Sequence, residues 1–318
     1  MASFLITRRT AAHQPALACF AAFGSAWVFL LVALGAFTTS IGAGMAFSDW
    51  PLSNGSLNPP GWLTSLAMFA EHSHRLSAGV MTTVTLILAL WLWLTEARAW
   101  LRKLAFFAIG LVLVQALVGG LRVLFDSQQV AMVDTSLGRL FAMLHACLAQ
   151  LFVCTLIAIS VACSKSWIGR GGPAVGEPAR RVGRLCVALL FVQLAIAAVM
   201  RHSFAGLAIP TFPASNFEGG LLPAAWNFRV AIHFAHRVMA VVLCVALPWF
   251  ASTLRRDRGA SPGMRLGAVV VVILLGLQVF LGAQIIWTYR AAAMTTSHVL
   301  VGALTLALTF WLTWLAHR

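Results

Sequence analysis

Eight apolar runs, most of them near the roughly 20 residues that a helix needs to cross a bilayer, dominate this sequence. They fall near 16–37, 66–94, 104–124, 139–162, 185–201, 229–251, 265–288 and 294–315. In hydrocarbon every backbone polar group must be bonded internally, and a long continuous apolar run achieves this as a helix. The rest of the chain cannot coat a soluble globule, because 61 % of the 318 residues are hydrophobic and only 9 % are charged. The expected fold is an all-α membrane protein with eight transmembrane helices.

The formal net charge of +14 invites a nucleic-acid reading until the basic residues are placed. Arg8, Arg9, Arg98, Arg102, Lys103, Lys165, Arg170, Arg180, Arg181, Arg184, Arg255, Arg256, Arg258, Arg265 and Arg318 lie at the N-terminus, the three even-numbered connections and the C-terminus. By the positive-inside rule both termini are then cytoplasmic. The excess reports topology and contact with anionic membrane lipid, and no nucleic acid is implied. The N-terminal stretch lacks a small-residue cleavage site before its apolar run, so a retained first span is expected. Cys19, Cys147, Cys154, Cys163, Cys186 and Cys244 all fall in spans or at their inner ends, which leaves no outer-loop disulfide framework and predicts a buried apolar role.

The chain repeats itself. Gly44-Met-Ala-Phe-Ser-Asp-Trp-Pro51 aligns with Gly206-Leu-Ala-Ile-Pro-Thr-Phe-Pro213 at an offset of 162, and the same offset places His74-Arg75 on His236-Arg237. An offset of 163 sets Gln115-Ala-Leu-Val-Gly119 on Gln278-Val-Phe-Leu-Gly282, and His145 matches His298 after a shortened last outer loop. Each half has an even number of spans, so the halves share an orientation: two tandem parallel four-helix bundles. The expected domains are 1–162 and 185–318, joined by a basic, Gly- and Pro-rich cytoplasmic linker at 163–184 that holds Gly169, Gly171, Gly172, Pro173, Gly176 and Pro178. The outer loops 38–63 and 203–226 contain no Lys or Arg and read as lids.

Of nine histidines, His13 and His317 are terminal and read as solvated. His74, His145, His236 and His298 instead lie a few residues inside the outer ends of spans two, four, six and eight, at similar depth. Ionisable groups inside a membrane default to function. Zinc or copper would usually recruit cysteine, carboxylate or a third histidine. One histidine from each of two facing helices is instead how a helical bundle grips haem iron from both sides. Arg75, Arg122, Arg139, Arg201, Arg229, Arg237 and Arg290 remain at outer helix ends as partners for haem carboxylates, and Arg75 and Arg237 directly follow a candidate ligand. The halves differ at one informative position. Glu71 stands one turn before His74 on the same face, whereas its counterpart is His233. Glu71 is the only acid expected well inside a span, so it is either paired, with Arg75 at i+4, or kept for proton transfer. His72 points away from that face and is expected to pack or to sit at the lipid interface.

These motifs resemble the haem A synthase family, membrane enzymes that oxidise a methyl group of haem O to the formyl group of haem A. The resemblance rests on Gly44–Gly55 (GMAFSDWPLSNG), on Glu71-x-x-His74-Arg75, on His236-Arg237, and on His145 and His298. It implies that His74 and His145 ligate the iron of the substrate haem O in the N-terminal half, with Glu71 catalytic. It further implies that His236 and His298 hold a permanent haem b, that Arg75 and Arg237 bind the two haems, and that a haem O synthase (farnesyltransferase) is a possible partner. The implied setting is the cell's inner membrane, with the histidines toward the extracytoplasmic side. Many members carry a cysteine pair in the outer loops. Here those positions are Phe47 and Ser53, then Ile209 and Ser215, which marks a divergent member without a loop disulfide. The competing readings are a dihaem b-type electron-transfer protein that oxidises quinol, and a transporter built on parallel repeats.

Overall fold

The computed structural model describes residues 9–130, 135–169, 171 and 173–318. Arg8, Arg170 and Gly172, named above, lie outside the described residues. Eight of the described helices are long and apolar enough to cross a membrane. They are α1 (Pro15–Ser40), α2 (Leu66–Thr95), α3 (Ala99–Leu124), α4 (Leu137–Cys163), α6 (Glu177–His202), α7 (Phe228–Arg256), α8 (Pro262–Trp287) and α9 (Ala292–Ala316). A short helix α5 (Lys165–Ile168) follows α4, and a two-residue antiparallel ladder, β1 (Gln129–Val130) with β2 (Thr135–Ser136), precedes it.

Helix starts are written in local chemistry. Ser65, Ser136, Asn227 and Ser261 cap α2, α4, α7 and α8 by accepting a backbone N–H of the first turn. Proline stands in the first turn of α1, α6 and α8, where its missing N–H costs nothing. The apolar run near 185–201 proves to be the C-terminal part of α6, which begins at Glu177, inside the expected linker. That first stretch is too polar to show as apolar sequence, but Glu177 pairs with Arg180, Arg181 and Arg184 along it and supports the extra turns.

Contacts run in rings. In the first half α1 touches α2 and α4, and α3 touches the same two, so α2 and α4 stand diagonally. In the second half α6 and α8 play those parts, and α7 and α9 are diagonal. Across the halves α9 meets α1 and α4, and α4 meets α6. That seam explains why the apolar windows of α4 and α9 are 61 % and 56 % buried while the other six range from 22 % to 33 %. Apolar burial between helices has little driving force in lipid, so close packing must hold them. Gly183 shows the need: a Cβ there would stand 2.7 Å from Thr313 Oγ1 and 2.9 Å from Phe250 Cε2. Cys154, Cys163 and Cys186 are buried as expected, but Cys19 and Cys244 are exposed on helix surfaces, where an apolar solvent tolerates them equally.

Candidate functional site

The four candidate ligands open their helices at matched depth. His74, His145 and His236 each stand eight residues after the first residue of α2, α4 and α7, and His298 six after that of α9. At about 1.5 Å per residue all four lie within a few ångströms of one level. Because α2 is diagonal to α4, and α7 to α9, each pair can meet across the axis of its own ring of helices. His236 and His298 do so, with ring centroids 6.4 Å apart. Two metal–imidazole bonds of about 2 Å, plus the distance from each ligating nitrogen to its ring centre, total about 6 Å. The centroid separation matches the span that one metal ion between two imidazoles requires. His74 is near enough to His145 to act on it electrostatically.

The surroundings are cut to the rings. A Cβ added at Gly35 would stand 2.8 Å from His74 Cε1, at Gly119 2.9 Å from His145 Cε1, and at Gly282 3.3 Å from His298 Cε1. His145 Nδ1 donates to the Gln115 carbonyl at 3.1 Å, which leaves Nε2 for a ligand, and Gln115 Nε2 donates back to the His145 carbonyl at 2.8 Å. Gln193 Nε2 donates to the His236 carbonyl at 3.1 Å, and Gln278 Nε2 lies 3.2 Å from His298 Nε2. The Nδ1 atoms of His74, His236 and His298 are buried without a partner among the described residues. Among the described residues, no cluster of three or more His, Cys, Asp or Glu offers a metal site.

Arg75 and Arg237 are both engaged by the outer loops, and Arg75 also makes the i+4 pair with Glu71 that the sequence offered. The Arg75 guanidinium donates to the carbonyls of Asp49 (2.8 Å), Leu52 (2.5 Å) and Phe47 (3.3 Å) in the first outer loop. Arg237 donates to Thr211 (2.6 Å), Ala214 (3.0 Å) and Ile209 (3.2 Å), the same three positions one repeat later. Each arginine is a clamp that pulls its outer loop onto the helix ends. Glu71 completes the first clamp: Oε1 is 2.5 Å from Arg75 Nη2, and Oε2 accepts the Phe47 N–H at 3.1 Å. In the second, His233 Nδ1 accepts the Ile209 N–H at 3.2 Å and Arg237 Nε approaches Nε2 at 3.3 Å. A carboxylate accepts from both donors, whereas a neutral imidazole has one acceptor nitrogen, so the Glu71 clamp is the tighter one. Arg237→Gln should lower stability by about 2 kcal/mol, the usual scale for hydrogen bonds to a charged group. Thermal unfolding in detergent, with limited proteolysis of the 203–227 loop, reads this out; an unchanged midpoint and cleavage rate would remove the clamp.

Other residues refine the site. His72 packs, as expected: it is buried, with Nδ1 accepting from Ser53 Oγ (2.9 Å) and Nε2 donating to the Leu57 carbonyl (3.1 Å). Phe47 is fully buried with its ring 6.0 Å from His72. Phe47 and Ser53, which occupy the cysteine positions, thus hold the loop without a covalent bond. Asp49 closes the turn, and the N–H groups of Gly55 and Asn54, each 2.8 Å away, hold its carboxyl below the usual range. Glu71 is not the only buried acid: Glu96, one residue past α2, is 1 % exposed and paired with Arg98 at the opposite end of the helices. Arg122 packs against Gly44 of the loop, has no hydrogen bond among the described residues, and acts electrostatically on both His74 and His145. Gln115 and Gly119 were visible as a repeated motif; Gly35 carried no such signal.

A family model described as cytochrome oxidase assembly protein matches residues 18–310. The chain belongs to that family. Proteins similar to it include the heme A synthases of Alkalihalophilus pseudofirmus (25 % identical, covering 86 % of this chain and 88 % of that one) and of Bacillus licheniformis (27 %, covering 86 % of each). A third, from Geobacillus kaustophilus, is 25 % identical over 86 % of this chain and 82 % of its own.

Proposed function

We propose that this chain is a haem A synthase, an oxidoreductase that converts a methyl group of haem O to the formyl group of haem A for terminal oxidase assembly. The observation that carries the proposal is the His236–His298 pair, spaced for one iron, in a member of this family whose similar relatives are named heme A synthase. The chain forms two tandem parallel four-helix bundles, residues 1–162 and 185–318, in the inner membrane with both termini cytoplasmic and the histidines toward the extracytoplasmic side. The ring-like contacts of each half and the basic residues at the opposite helix ends support this arrangement.

The second half holds a resident haem b between His236 and His298, and haem b when bound carries electrons. The first half takes haem O as substrate between His74 and His145. Gly35 and Gly119 leave room for the two rings, and Gln115 holds His145 in the tautomer that presents Nε2. Arg122, with no hydrogen bond among the described residues and near both rings, supplies positive charge for the carboxylates of haem O. Arg75 and Arg237 serve their haems by closing the outer loops over them, which limits water at the reacting edge. Glu71 holds or accepts a proton at Oε2 in that enclosed site. A haem O synthase is the natural supplier of substrate. Membranes co-expressing this chain with a haem O source should yield extractable formyl-bearing haem; haem O alone, with folded protein present, would overturn the proposal.

A further inference from the structure

A second site lies at the end of the helices opposite the histidines. There a cavity of about 620 Å³ opens between the halves, walled by Trp100 at the start of α3, Trp167 on α5 and Trp314 at the end of α9. Trp167 and Trp314 stack with centroids 5.9 Å apart, and Trp100 lies 6.4 Å from each. The remaining wall holds Arg98, His317 and Arg318. Arg98 is committed to Glu96 and to the Ala162 carbonyl. His317 donates to the Thr313 carbonyl and takes a bond from Arg184. Two donors are left over. The Trp314 indole N–H is buried with no acceptor among the described residues. Arg318 spends only Nε, on the Trp167 carbonyl, so its Nη groups have no acceptor among the described residues. A buried indole N–H and a guanidinium beside three interfacial tryptophans lack one thing, an anionic oxygen acceptor at headgroup depth.

We propose that this cavity binds the phosphodiester headgroup of an anionic phospholipid, with Arg318 and Trp314 as donors and the tryptophans flanking its glycerol and upper acyl carbons. The volume suits one headgroup, and basic pockets between membrane helices take such lipids. The site joins α3, α5 and α9, so an occupied cavity ties the two halves together at their basic end. It does not rest on the haem reading.

Native mass spectrometry of the whole protein released from phosphatidylcholine nanodiscs, with and without phosphatidylglycerol, tests this. One phosphatidylglycerol per chain should be retained in preference to phosphatidylcholine. Arg318→Gln and, separately, the shape-preserving Trp314→Phe should each reduce retention about fivefold, the usual scale for one basic contact near a membrane surface. Arg258→Gln, on an exposed residue outside the cavity, should leave it unchanged. Equal retention of phosphatidylcholine, or retention unaffected by both cavity variants, would overturn the proposal. So would displacement of the lipid by excess inorganic phosphate, which would assign the site to free phosphate.

Discussion

His236→Ala, and separately His298→Ala, should remove the low-spin haem spectrum of the purified protein's second half, with haem content falling by more than about tenfold. Loss of partners merely behind a metal ligand already costs about 10- to 100-fold, and these rings are the ligands themselves. Their centroids lie 6.4 Å apart on diagonal helices, and the nearby His233 is already held by the Ile209 N–H and Arg237. Added imidazole, small enough to enter the space left by the ring, should restore the low-spin bands. That rescue separates a missing ligand from a misfolded bundle. A spectrum unchanged in either variant would place the haem elsewhere.

Glu71→His should reduce turnover by about 10²- to 10⁴-fold, the range for a lost proton-transfer group. The variant installs in the first half the residue that the second half already uses. His233 receives the Ile209 N–H and faces Arg237, as Glu71 receives the Phe47 N–H and faces Arg75. Loop closure and haem binding should therefore survive, though with a looser clamp. Retained turnover with an unchanged pH profile would make Glu71 a positioning residue whose work ends at the loop, because an imidazole that took over the proton would shift that profile. Lost turnover with bound haem and an intact loop assigns it to the chemistry.

Much of the fold could be read from residues alone because the bilayer makes hydropathy and helicity nearly the same signal. Seven of the eight apolar runs lie within a few residues of the observed helices. The exception, the start of α6, is amphiphilic and held by Glu177 and its arginines, a local ion-pair pattern to which hydropathy is blind. The histidine pairs were visible because polar residues in apolar runs are conspicuous and the repeat displayed them twice. Arg75 and Arg237 were equally conspicuous, yet adjacency to a ligand in sequence did not tell where their guanidinium groups go. In α2 and α7 the next residue points about 100° around the helix, toward the returning outer loop and its carbonyls.

What the sequence determined by itself is the solvent, the number of spans, the repeat and the identity of the histidines, since each depends on composition and period along one helix. Tertiary structure alone decided the rest. It set which helices stand diagonally, and so which histidines face each other at 6.4 Å. It turned two arginines into loop clamps, and it packed Gly35 against a ring that lies 39 positions away in the chain (74 − 35). It also left Trp314 and Arg318 with donors that have no acceptor among the described residues at the far end. These facts depend on directions between helices, and a hydrogen bond or ligand bond is satisfied by direction and distance, neither of which is encoded by position in the chain.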